Sequence, residues 1–124
     1  MSLDYTHTHL SSPSGSSPYT VSAVMPSNQH TTFYVQITPS GSSAILYLNL
    51  TIGNYSDNYF WVSNSGSADC DIILSIVDES SVAISPIHPP KDGITVASDG
   101  ICEIGFIRNS DGVFVTRFDG LQRV

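Results

Sequence analysis

Apolar and polar residues alternate in several short runs of this chain, and this pattern restricts the fold more than any other feature. In the run at 43–52, the apolar positions on one face are Leu46, Leu48, Leu50 and Ile52. Successive side chains of a strand point to opposite faces of a sheet, so this spacing is typical of a half-buried strand. The same alternation at 31–38 and 70–77 predicts further strands.

The composition also argues against a helical fold. Charged residues make up 12% of the chain, about half of the roughly 25% that is usual in soluble domains. Lysine occurs once, at Lys91, and other good helix formers are scarce. Valine, isoleucine, threonine and aromatic residues, which suit pleated surfaces, take their place. The composition therefore predicts an all-β protein.

Short turns rich in Gly, Ser, Asn and Asp separate the alternating runs. The candidate strands lie at 19–25, 31–38, 43–52, 58–63, 70–77, 81–87, 93–98 and within 101–118. About eight short strands at this spacing predict an antiparallel β-sandwich or jelly roll. No internal repeat is evident, and 124 residues are enough for one domain with a substantial core.

Two alternating runs flank an Asn-Ser-Asp-Gly sequence at 109–112. These residue types tolerate the positive φ angles that a tight hairpin requires. In the first run, Cys102, Ile104 and Phe106 share one face. The pattern predicts a β-hairpin near the C-terminus.

The first 18 residues differ in character from the rest. The sequence SSPSGSSP at 11–18 is typical of a flexible linker or an extended arm. We therefore expect an N-terminal arm at 1–18 and a β-sandwich domain at 19–124.

The formal net charge is −7, with only four basic residues. Nucleic acids and anionic membrane surfaces both attract clustered Lys and Arg, so neither is an expected partner. No apolar run approaches the ~20 residues of a membrane helix, and no signal peptide is visible.

The two cysteines, Cys70 and Cys102, form no Cys-x-x-Cys pair and no metal-ligand spacing. Both fall on the apolar faces of expected strands, which favours two buried thiols. A disulfide between them is the alternative.

No catalytic constellation stands out in the sequence. Glu79 and Glu103 are the only glutamates, and nothing pairs them as the two acids of glycoside hydrolysis. His30 and His88 fall in loop-like stretches, and no Gly-x-Ser-x-Gly elbow occurs. We therefore expect no enzyme and no cofactor.

Aromatic residues cluster in the stretch GNYSDNYFW at 53–61. Tyr55, Tyr59 and Trp61 are candidates for a platform on which sugar rings stack. Tyr59 and Trp61 share a strand face. The alternative is that they pack in the core or in a subunit interface, where aromatic residues are enriched.

Near the N-terminus, His7 and His9 lie two residues apart and so on one face of an extended strand. Two imidazoles make a weak metal site, and three copies around a threefold axis would supply six nitrogens for an octahedral metal. The alternative is an exposed polar tail.

The stretch GITVASDGICEIGFIRNSDGVFVTRF at 93–118 resembles the closing strands of small bacteriophage virion proteins, namely fibre, head-decoration and receptor-binding modules. The resemblance implies a non-enzymatic structural or adhesion module located in the virion. A carbohydrate-binding module, with a surface glycan as its ligand, is the alternative function.

Several expected strands are apolar on both faces. Ile45 and Tyr47, and likewise Ile73 and Val77, lie opposite the expected core. Contiguous apolar patches usually mark interfaces. We therefore expect a homo-oligomer, with a trimer favoured, in which sister subunits cover this second face.

Overall fold

A computed structural model describes residues 4–13, 17–41, 44–87 and 93–121, with side chains described except at 4–7 and 117–121. These residues contain nine strands and no helix, so the all-β prediction is confirmed. The strands are β1 (Asp4–His9), β2 (Tyr19–Met25), β3 (Gln29–Ile37), β4 (Ala44–Ile52), β5 (Ser56–Asn64), β6 (Cys70–Val77), β7 (Ile94–Val96), β8 (Ile101–Asn109) and β9 (Gly112–Leu121). The division into an arm and a domain remains a prediction, with β1 lying inside the expected arm.

The strands form two sheets, ordered β1-β3-β5-β8-β9 and β2-β4-β6-β7. Both sheets are mixed. The pairs among β1, β3 and β5, and those among β2, β4 and β6, are parallel, whereas the pairs that involve β7, β8 and β9 are antiparallel. This differs from the expected antiparallel arrangement, because alternation reveals that a residue lies in a strand but does not reveal the direction of its partner.

Consecutive strands from β1 to β6 alternate between the two sheets, so that each pair of strands forms an arch that stacks on the preceding one. Paired residues in neighbouring arches are 25 to 27 positions apart in the chain. We call residues 4–77 the stacked half and residues 94–121 the closing half.

Successive turns also stack on one another. The Asn28 amide donates to the Asn54 carbonyl at 2.9 Å, and the Ser67 amide donates to the Pro39 carbonyl at 2.9 Å. Gly66 lies so close to Pro39 that an added Cβ would collide with its backbone. The glycine is needed for this close approach between arches.

An internal repeat that the sequence analysis missed accompanies these turns. PSGSS occurs at 13–17 and again at 39–43, and NSGSA follows at 64–68. A period of 20–50 residues is the sequence signature of stacked units. The expectation of no repeat was therefore wrong.

The closing half contains the predicted hairpin. Strands β8 and β9 pair antiparallel, with Asn109 opposite Gly112 across a two-residue turn. The Asn109 side-chain oxygen accepts a hydrogen bond from the Asp111 amide at 2.8 Å, an Asx turn of the expected kind. The C-terminal hairpin is thus confirmed.

The expected strand at 81–87 is not formed. This segment makes only two isolated bridges, at Ala83 and at Ile87, and it is otherwise irregular. Pro86 interrupts it, and proline cannot donate to a strand ladder.

One core lies between the two sheets. Its fully buried large side chains include those on the predicted inward face of β4 and those on the hairpin strand β8. Cys70 and Cys102 are both buried in this core. Burial, with a smaller effect from Asp71, raises the pKa of the Cys70 thiol to about 11. The interpretation as two buried thiols fits this arrangement.

Candidate functional site

The outer face of the five-stranded sheet carries a band of rings contributed by three parallel strands. His9 on β1 lies opposite Tyr34 on β3, and Tyr34 lies opposite Trp61 on β5. His30 and Tyr59 lie further along β3 and β5, on the same face. We call His9, His30, Tyr34, Tyr59 and Trp61 the aromatic face. In-register parallel pairing places these rings side by side.

Trp61 is 37% exposed, and its ring is held in place by a neighbouring strand. The indole Nε1–H donates to Oε2 of Glu103 at 2.8 Å. A carboxylate has about four lone-pair sites, so this bond leaves acceptor capacity on Glu103 for other donors. The pair combines an apolar surface with a hydrogen-bond acceptor beside it.

A shallow cavity of about 280 Å³ lies against this ring. It is lined by Thr8, His9, Thr32, Tyr34, Trp61 and Ile101. The His9 and Tyr34 rings are tilted against each other, with centroids 5.2 Å apart. Apolar concave surfaces with a few polar groups at their rim are the usual form of small-ligand sites.

The other end of the aromatic face is more polar. Nδ1 of His30 lies 3.4 Å from Oδ2 of Asp57, and the His30 ring packs against Tyr59 with a centroid distance of 5.5 Å. The negative charge of Asp57, then partial burial and the charge of Glu103, raise the pKa of the Tyr59 hydroxyl. The Tyr59 hydroxyl can both donate and accept hydrogen bonds.

Tyr59 lies across Gly105, its partner on β8. A Cβ at Gly105 would stand 3.5 Å from the Tyr59 ring and would collide with Oγ1 of Thr116. A side chain at Gly105 would therefore require Thr116 to move, whereas its Cβ would make only an ordinary contact with the Tyr59 ring.

Tyr55 does not join this surface. It lies in the turn between β4 and β5, is 59% exposed, and has a φ of 53°. It lines a separate cavity of about 330 Å³ with Ile84 and Arg108 among its neighbours. Of the three expected platform residues, the structure brings Tyr59 and Trp61 together and places Tyr55 elsewhere.

The expected metal ligands lie on the edge strand β1. His7 is opposite Thr32 and His9 is opposite Tyr34, so the backbone register places both at the margin of the aromatic face. The side chain of His7 lies outside the described residues. Among the side chains that the structure describes, no group of three His, Cys, Asp or Glu is arranged to hold a metal ion.

Sequence reasoning missed Tyr34, His30 and Glu103 as members of this site. Tyr34 and His30 lie 27 positions before their partners Trp61 and Asp57, close to the 25 and 26 positions that separate successive copies of the repeat. The repeat of PSGSS thus indicates that these strands stack, but it does not fix the register that pairs these residues. Glu103 joins through the antiparallel pairing of β5 with β8.

The outer face of the four-stranded sheet is different. It carries Ser22, Asn49 and Ser75 in one row, with Tyr47 and Ile73 in the adjacent row. Tyr47 is 38% exposed and Ile73 is 45% exposed. A cavity of about 310 Å³ on this face is lined mainly by small aliphatic and hydroxyl side chains and contains no aromatic ring.

The other residues considered for catalysis are dispersed. Glu79 lies in a turn and accepts a hydrogen bond from the Ser27 hydroxyl at 2.8 Å. His88 lies outside the described residues. Within the ranges that the structure describes, no helix has the length and apolar character needed to cross a bilayer.

No protein-family model, curated protein or solved structure matches this chain.

Proposed function

We propose that the protein is a non-enzymatic adhesion module that binds carbohydrate on its aromatic face. The scaffold of this proposal is a β-sandwich of stacked arches. The observation that carries it is the alignment of Tyr34 and Trp61 on adjacent strands, with the indole fixed by Glu103.

Sugar recognition requires both apolar and polar contacts. The C–H face of a sugar ring packs on an aromatic ring, and its hydroxyls need hydrogen-bonding groups at the edge of that ring. Trp61 and Tyr34 supply the ring surfaces, and the Glu103 carboxylate supplies an acceptor beside them. Rigid aromatic side chains give large contact areas at a low cost in conformational entropy.

The placement of the two carboxylates on this face supports a binding role over hydrolysis. Asp57 pairs with Ile107, which lies four residues from Glu103 along β8. Four residues of a strand span about 13 Å. The two carboxyl groups of glycosidases lie about 5–9.5 Å apart, and the wider backbone separation of Asp57 and Glu103 favours a binding role over hydrolysis.

We place the protein in a bacteriophage virion, as a stiff, non-catalytic module that presents a binding surface. This part of the proposal is supported by the resemblance of residues 93–118 to the closing strands of virion modules. Tail or capsid genes beside the coding sequence are the expected observation. A neighbourhood of metabolic genes would contradict it.

Carbohydrate binding is tested on the full-length protein with a glycan array, followed by fluorescence titration of the glycans that bind. Trp61 is the single tryptophan of the chain, so its emission reports directly on the proposed site. We expect a saturable change in emission. Trp61→Ala should weaken binding on the array at least about tenfold, as expected for an aromatic binding hot spot.

Tyr47→Ala is the matched control, because Tyr47 is as exposed as Trp61 but lies on the other sheet. It should leave glycan binding unchanged. The proposal is wrong if no glycan binds, or if Trp61→Ala and Tyr47→Ala behave alike. Release of new reducing ends from a bound glycan would disprove the non-enzymatic part.

A further inference from the structure

The two ends of the stacked sheets differ. The near end is formed by the edge strands β1 and β2, and the far end by the edge strands β9 and β7. At the far end, the segment after β6 hydrogen-bonds to both sheets: the Ile84 amide donates to the Ile76 carbonyl at 2.9 Å, and the Ile87 amide donates to the Val113 carbonyl on β9 at 2.7 Å. This segment and the short strand β7 together cover that end of the fold.

At the near end, β1 and β2 are the edge strands of the two sheets. Within the described ranges, no strand lies beyond either of them, and both isolated bridges are at the far end. An edge strand presents a row of backbone donors and acceptors that can pair with another chain. Both layers therefore end in pairing-competent strands on the same side.

Proteins usually protect such edges with charge, proline or a bulge. Strand β2 has the sequence YTVSAVM, which contains none of these protective residues. The surrounding chain is equally uncharged, because no Asp, Glu, Lys or Arg occurs from Tyr5 to Ser56. In a protein with a net charge of −7, this region is where two copies meet with the least repulsion.

The strand is also complementary to itself. If two copies of β2 pair antiparallel about Ser22, Val21 lies opposite Ala23 of the second copy, and Tyr19 lies opposite Met25 of the second copy. All four side chains are buried on the inner face, whereas Ser22 is exposed on the outer face. The pairing thus extends the core without burying a charge.

We propose that the protein self-associates through this open end, as a two-fold dimer in which β2 pairs with β2 and β1 pairs with β1 of a second copy. A two-fold axis perpendicular to the sheets extends both layers at once, whereas a single added peptide would cover only one. Such an isologous contact closes after two copies.

One consequence rests on the proposed function. This axis leaves the two aromatic faces on the same side of the dimer, which would let one dimer engage a glycan surface at two points and gain avidity.

The dimer is tested by light scattering or sedimentation equilibrium on the full-length protein at micromolar concentration. The expected mass is twice the 13.3 kDa of the monomer, falling on dilution. Ser22→Lys and Ser22→Asp should each give monomers, because each places like charges together across the axis. An equimolar mixture of the two variants should restore the dimer, since opposite charges then meet.

Ser75→Lys is the matched control. Ser75 lies in the same row of the outer face as Ser22, but on the interior strand β6. It should remain dimeric. Circular dichroism verifies that each monomeric variant is folded. The proposal is wrong if the wild type is monomeric throughout, if its mass is that of the trimer expected from the sequence, or if Ser75→Lys dissociates it as Ser22→Lys does. Association with an unrelated chain alone would also overturn it.

Discussion

The stacked half and the closing half of this protein are held together by contacts of different range. In the stacked half, paired residues are 25 to 27 positions apart in the chain, because each strand pairs with a strand of a neighbouring arch. In the closing half, the pairing of β8 with β9 begins at Asn109 and Gly112, three residues apart. The closing half is organised by a local turn, whereas the stacked half depends on repeated turns that fit on one another.

The difference also appears in how charge is distributed. Apart from Asp4, all formally charged residues follow Ser56. Asp4 is thus the only formally charged residue of the first two arches, and the others lie in the third arch, between the two halves, in the closing half and at Arg123. The two halves therefore differ in charge as well as in the range of their contacts, and local substitutions can test how much each contributes to stability.

The largest expected effect is in the core of the stacked half. Leu48→Ala should lower the free energy of unfolding by about 2–5 kcal/mol, through lost burial and a residual cavity. Leu48 is 0% exposed on β4, which has neighbours on both sides, so the structure cannot easily close around the gap. Urea denaturation measures the change.

The comparison variant is Val115→Ala in the closing half. Val115 is 1% exposed, but it lies on the edge strand β9 and loses fewer carbon atoms. Its cost should be smaller than that of Leu48→Ala. A larger loss for Val115→Ala would mean that the hairpin, rather than the stack, dominates the stability of the fold.

A second effect concerns the turns. Gly66→Ala should destabilise the protein by about 1–3 kcal/mol, the range for atoms forced into a tightly packed site, because the new methyl group meets the backbone of Pro39 in the preceding arch. Thermal or urea unfolding measures the loss. The substitution tests whether tight packing between successive turns contributes to stability.

Gly100→Ala supplies the corresponding change in the closing half. Its added Cβ would lie 3.1 Å from the Ala97 carbonyl oxygen, a tight contact but much less severe than the overlap of a Cβ at Gly66 with Pro39. The expected cost is less than that of Gly66→Ala. Equal costs would show that the two kinds of turn are constrained to the same degree.

The same contrast explains what the sequence revealed. The hairpin was predictable because its strands and its Asn-Ser-Asp-Gly turn are adjacent in the chain. The inward positions Leu46, Leu48 and Leu50 were also predictable, because alternation depends only on strand periodicity. The parallel pairing was not, since residues such as Tyr34 and Trp61 meet only after an intervening strand crosses to the other sheet. The PSGSS sequence repeated at 13–17 and 39–43 indicates stacked units, but its first copy lies within the stretch at 11–18 that is typical of a linker.

The smallest expected effect comes from one position in the stacked turns. Asn28 and Tyr55 occupy corresponding places in successive turns and have φ angles of 60° and 53°. Asparagine tolerates this left-handed conformation, whereas a tyrosine there is strained. Tyr55 is also largely exposed, so little burial offsets the strain.

Tyr55→Asn should therefore raise the free energy of unfolding by about 1 kcal/mol, the order of the left-handed penalty for a residue other than glycine. Asp99→Asn is the counterpart in the closing half, where φ is also 60° and the residue already tolerates it, so little change is expected from the backbone. Urea denaturation measures both.

Because Tyr55 lies apart from the aromatic face, Tyr55→Asn should leave glycan binding intact. A loss of stability would show that the Tyr55 ring makes contacts with Ile84 and Arg108 that outweigh the backbone strain, and a loss of binding would return Tyr55 to the platform predicted from the sequence.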